Sequence, residues 1–138
     1  MKPVSWKQLF LAGSVAGLAL LAGELTINGL LLRGEWEEVA ASFQLSPVSG
    51  GWAFVLVLIT WLLGFLLVWL QRAFLPLRGG SVQAAALSAL VVWSLVFVYS
   101  SVWAGAFGLP LRLLVISTLW GLGELVLASL LANWIYRR

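Results

Sequence analysis

The chain has 138 residues, 62% of them hydrophobic and only 9% charged, with a net charge of +3. Soluble domains carry about 25% charged residues, so a water-soluble fold of this length lacks the polar surface to cover itself, and lipid is the expected solvent for a single domain. With no cysteine and no histidine, the sequence excludes disulfides, thiolate metal sites and thiol catalysis, and it lacks the commonest metal ligand and the usual general base.

Four apolar segments are long enough to cross the hydrocarbon core, which takes about 20 residues of helix. They run over 5–32, 51–70, 83–107 and 111–135. Helices satisfy their own backbone hydrogen bonds, as lipid requires. The expected fold is therefore all-α: a four-transmembrane-helix bundle forming one integral membrane domain over 1–138. Its first segment opens on a basic start, as a signal peptide does. The apolar run passes Glu24 and continues to Leu32, too long for a signal core, so a span is expected instead.

On a helical wheel, Gly13, Gly17, Leu20, Glu24, Asn28 and Leu31 share a stripe of the first segment. Gly13 and Gly17 make a GxxxG pair, which lets another helix approach closely. Glu24 and Asn28 continue that face one turn apart. The first external loop follows, "RGEWEEVAASFQLSPVSGG". Trp36, Val39, Ala40 and Phe43 recur at helical spacing, while Glu35, Glu37, Glu38 and Gln44 project elsewhere. The spacing predicts a short interfacial amphipathic helix over about 35–44. The acidic trio has the look of a solvated face, not a metal site.

The stretch "LPLRGGS" (Leu75 to Ser81) reads as a turn between the second and third segments, and "FGLP" (Phe107 to Pro110) as a tight turn before the fourth. In the last segment Ser117, Gly121, Glu124, Ala128 and Leu131 form a second small-residue stripe carrying a carboxylate. Both carboxylates are therefore expected to face protein. Glu24 lies about 6 Å outward of its helix midpoint, at a rise of about 1.5 Å per residue, and Glu124 near its own midpoint. The two are expected near one another but not level. Arg112 is the basic residue that a tilt would bring toward Glu24. The triplet "GEL" occurs in both helices, which allows an inverted internal repeat. Short matches among Leu, Gly and Ala also arise by chance.

Nine tryptophans is a high count. Trp6, Trp36, Trp52, Trp69, Trp103 and Trp134, with Tyr136, fall near segment ends, where interfacial belts account for them. Trp61, Trp93 and Trp120 fall mid-helix and form a candidate midplane aromatic layer. They either fill space or aim an indole N–H at a carboxylate or ligand.

An ionised carboxylate at mid-membrane costs about 2.5–3.5 kcal/mol on insertion scales. Glu124 is thus expected to carry its proton and to bond a facing carbonyl, Asn28, or Ser117 on its own stripe. Two readings of Glu24, Asn28, Ser117 and Glu124 stand together. They lock helices, or they form a proton or cation site. Lys2, Lys7, Arg72, Arg78, Arg137 and Arg138 gather on one side and Arg33 and Arg112 on the other, so both termini are expected to be cytoplasmic.

The stretches "GELTINGLLLRGEW" and "LWGLGELVLASLLANWIYRR" resemble the first and last helices of small four-helix bacterial integral membrane proteins. That resemblance implies a fold and a bacterial inner membrane, and no activity. Small multidrug exporters also have four helices and a Glu in the first. They are shorter and lack the long first loop, so a drug–proton role for Glu24 rests on analogy.

The leading functional expectation is a non-catalytic bundle acting as an accessory or structural subunit. Its partners would be the bilayer and other membrane subunits or a second copy. No cofactor and no metal are expected, and the lack of a basic face excludes nucleic acid. The alternatives are a small proton-coupled transporter or channel using Glu24 and Glu124, and a pigment- or lipid-binding bundle.

Overall fold

The computed structural model describes residues 5–46, 50–78 and 80–136. The expectations for Lys2, Arg137 and Arg138, and for the side chains of Trp52, Arg78 and Tyr136, lie outside the described residues. The described chain is all helix: α1 (Trp6–Thr26), a π-helical turn (Ile27–Leu31), α2 (Arg33–Ser42), α3 (Gly50–Arg78), α4 (Ser81–Phe107) and α5 (Leu111–Tyr136). Four of these helices are long and apolar enough to cross a membrane.

Local sequence sets the boundaries. Ser5 and Gln8 form a reciprocal capping box: Gln8 N–H donates to Ser5 Oγ (3.2 Å), and Ser5 N–H to the Gln8 side chain (3.4 Å). Gly108 ends α4 with a left-handed φ of 63°, which suits a residue without Cβ. The second segment departs from expectation. Instead of turning at Leu75, α3 runs through Pro76 to Arg78. Proline there cannot donate to the carbonyl four residues earlier, yet the helix continues for two more residues.

The long helices pack in the cyclic order α1, α3, α4, α5, each antiparallel to its neighbours. Gly13 lies against Phe65 and Gly17 against Trp61, and Gly64 meets the α1 backbone at both glycines. A Cβ on Gly17 would sit 2.8 Å from the Trp61 Cα. The GxxxG pair thus works as expected, with Gly64 completing a three-glycine crossing. At the same end of the bundle α4 and α5 meet through Ala84, Ala85, Ser88, Ala128, Ser129 and Ala132, all with no exposed surface. Ser88 and Ser129 hydroxyls bond one another (2.9 Å), and Ser129 also donates to the Ala85 carbonyl (2.8 Å).

The other half of the bundle is looser. Residues 53–59 of α3 are exposed throughout, as are 94–99 of α4. Small residues draw the helices together at one end, and bulky ones hold them apart at the other.

The π-helical turn changes the face that α1 presents. An extra residue per turn shifts the register, so Ile27 and Leu32 turn inward while Leu31 is 63% exposed. The predicted stripe therefore ends before Leu31. Leu131 on α5 also falls off its expected stripe and is partly exposed. From the π turn the chain reverses into α2. Trp36 and Val39 of α2 pack on Ile27, Leu32, Leu113 and Ile116, capping the open end of the bundle.

Candidate functional site

Under α2, in the looser half, a cavity of about 380 Å³ lies between the helices. Leu20 and Glu24 line it from α1, Asn28 from the π-helical turn, and Trp36 from above. From α4 come Trp93, Phe97, Tyr99 and Trp103, and from α5 Leu113, Ser117, Gly121 and Glu124. Among the described residues, α3 contributes Thr60 and Leu63 and nothing from its first two turns, where 53–57 are exposed. The wall is largely apolar and aromatic, with both carboxylates at its α1–α5 side and a few hydroxyls elsewhere, the usual make-up of a small-molecule site.

The polar groups form two short networks. Trp36 Nε1 donates to Asn28 Oδ1 (2.9 Å), and Asn28 Nδ2 donates to Glu24 Oε2 (2.6 Å). Trp120 Nε1 donates to Glu124 Oε1 from one turn away. The Glu124 carboxyl group rests on Gly23, where any Cβ would occupy its space. Glu124 is 9% exposed. Glu24 stays exposed on the cavity wall, which corrects the expectation that both carboxylates face protein. The reason is the open α3 side.

The expected nearness of the two carboxylates has a contact behind it. Glu124 reaches Gly23, the residue next to Glu24. Helical side chains lean toward the N-terminus of their own helix. Because α1 and α5 are antiparallel, Glu24 and Glu124 lean toward each other along the bundle axis. Counting Cα positions alone overstates their separation.

The remaining expectations divide. Trp61 packs edge-on to Phe10 and Phe65 (centroids 5.8 and 5.0 Å). Trp93 stacks on Phe97 (5.3 Å) and donates to the Thr118 carbonyl (2.8 Å). With Trp120 turned to Glu124, the three indoles have separate partners. The reading of an indole aimed at a carboxylate fits Trp120 alone. Ser117 Oγ is covered and has no hydrogen-bond partner among the described residues, so it does not reach Glu124. Gly121 lines the cavity, and a Cβ there would meet nothing within 4 Å. Its expected part in close packing belongs to Gly23 and Gly64. Arg112 pairs with Glu35 (3.1 Å), not Glu24.

Trp36 is the site residue that the sequence concealed. Its spacing marks it as part of an apolar helix face. Only the reversal after the π turn brings its indole back over Asn28, eight positions earlier. Gly23 was equally hidden, since its neighbour lies one hundred and one residues away in sequence.

The four long apolar helices define a candidate multi-pass membrane protein of the helical-bundle class. No family model, curated protein or solved structure matches the chain.

Proposed function

We propose that this is a non-catalytic, multi-pass membrane protein whose cavity exchanges a proton for a small organic cation. The observation that carries the reading is the placement of Glu24 and Glu124 on one cavity, under a single lid helix. This develops the transport alternative and not the accessory-subunit one, which has only uncovered apolar surface in its favour. Two carboxylates brought together in a low-dielectric site do not both ionise at low cost. A cation that replaces a proton between them removes that penalty. Asn28 and Trp120 hold the carboxyl groups in place by donating to them. With one ammonium ion bound, a carboxyl group ionises and its proton leaves to solvent, so charge is conserved in the site.

In this reading the lid helix α2 lies in the interface at the external side. Its Glu35 and Glu37 pair with Arg112 (3.1 Å) and Arg33 (2.8 Å), which offsets the positive charge at that end. Glu37, by hydrogen bond and by charge, raises the pKa of Arg33 above its already high value. Lys7 and Arg72 mark the opposite end, the cytoplasmic one under the positive-inside bias. The membrane is a bacterial inner membrane, as the sequence resemblance implies.

Proton release tests the proposal. Protein in weakly buffered nanodiscs is titrated with butylammonium chloride near neutral pH. Saturable acidification approaching one proton per protein is expected. It disappears in the Glu24→Gln/Glu124→Gln double variant. Butylammonium that binds without releasing protons, or that does not bind, overturns the exchange.

A further inference from the structure

The walls and the open side of the cavity narrow the class of cation. Glu24 and Glu124 stand at the α1–α5 side, whereas Leu20, Leu63, Phe97 and Leu113 make much of the remaining lining apolar, with the hydroxyls of Thr60, Ser100 and Thr118 between them. A small hydrated ammonium ion would satisfy the carboxylates and leave these walls facing water. About 380 Å³ also cannot enclose a long acyl chain together with its head group. The α3 side need not enclose it. Among the described residues, Thr60 and Leu63 are those that α3 places on the cavity, and the turns before them are exposed. Beyond that opening, Leu56 (56% exposed) and Ile59 (50%), one turn apart, present an apolar flank. At the other end, Trp36 and Val39 close the bundle beneath α2.

We infer that the ligand is a single-chain amphiphilic amine that reaches the site sideways from the bilayer. Its ammonium group sits between Glu24 and Glu124, and its alkyl tail leaves through the α3 side along Leu56 and Ile59. The inference rests on the cation-exchange reading of the same site and adds the ligand class and the route. The ammonium has three donors, and the carboxylates hold acceptors beyond those that Asn28 and Trp120 occupy. The first methylenes meet Leu20 and Leu63. The rest of the tail never leaves lipid, so no water-filled path through the lid is needed.

Native mass spectrometry of the detergent-solubilised full chain separates the two layers of the argument. The probes are octadecylamine, octadecanol and butylamine. We expect a one-to-one octadecylamine adduct at an affinity at least ten-fold above butylamine. Octadecanol should bind at least ten-fold more weakly than octadecylamine, and Glu24→Gln/Glu124→Gln should abolish that difference. Thr60→Trp, which narrows the α3 side, should shrink the ratio of octadecylamine to butylamine affinity several-fold. Equal affinities for the two amines would leave the exchange site standing and overturn the amphiphile and its lateral route. A Thr60→Trp protein with an unaltered ratio overturns the route. Octadecanol bound as tightly as octadecylamine, or no amine bound at all, overturns the exchange reading and this inference with it.

Discussion

Gly23 and Gly123 each precede a glutamate in the same triplet, yet a methyl group added to them has different consequences. At Gly123 it would meet nothing within 4 Å, and at Gly23 it would meet the Glu124 carboxyl group. Gly123→Ala should therefore be neutral, or stabilising by up to about 1 kcal/mol through helix propensity. Gly23→Ala displaces the end of a flexible side chain, so its effect falls on the site and not on folding. The infrared carbonyl band of Glu124, identified by its loss in Glu124→Gln, should shift in Gly23→Ala and stay in place in Gly123→Ala. Bands that respond alike would mean that Glu124 does not rest on α1. Gly64→Ala differs again, because its Cβ would strike the backbone at Gly13 and Gly17, which cannot move aside locally. A loss of about 1–3 kcal/mol is expected from such overpacking, measured by reversible unfolding in mixed micelles. Of these positions, GxxxG spacing discloses Gly13 and Gly17 because both lie on one helix. Gly64 and Gly23 act across a contact between helices, and nothing local marks them. Asn28 bonds Glu24 as four-residue spacing leads one to expect, whereas Trp36 reaches Asn28 only through a chain reversal.

Among the elements, the π-helical turn has the largest consequence for its length. It carries α1 into α2 and sets the angle at which Trp36 returns to Asn28. Deleting Gly29, which has open space around it, should convert the turn to α-helix and rotate everything after it by roughly 100°. Trp36 would then point away from Asn28. Proton release on adding butylammonium is expected to weaken. A deletion variant with unchanged ligand response would remove α2 from the site. The ion pair between Arg112 and Glu35 is a smaller matter. Its Arg112 side chain is 72% exposed, and an exposed pair contributes about 0–1 kcal/mol. Arg112→Gln should leave unfolding nearly unchanged. The sequence discloses α2 through its amphipathic spacing, and the long helices through apolar length. It conceals the π turn, since "INGLL" has no local feature that demands one, and the extension of α3 through Pro76, since proline near a glycine pair ordinarily signals a stop.

At the scale of the whole molecule, the bundle is built from two unlike halves. Alanine, serine and glycine bring the helices into contact at the end holding Ala85, Ser88, Ala128 and Ala132. Aromatic side chains hold them apart around the carboxylates. A close-packed half resists opening because small side chains leave no slack, and interiors transmit displacement instead of absorbing it. The looser half can therefore admit a ligand while the other holds the fold. This asymmetry predicts a gradient of hydrogen exchange along α5, a helix that passes through both halves. Amides of 117–121, beside the cavity, should exchange at least ten-fold faster in nanodiscs than those of 128–133. Saturating octadecylamine should slow exchange at 117–121 and leave 128–133 as they were. Ala128→Leu, which wedges the close-packed half, should raise exchange at both ends of α5, because the bundle loses its fixed point. Uniform protection along α5 in the unliganded protein would mean that the cavity is not a breathing region. The division of labour between the halves would then fall, whatever the carboxylates bind.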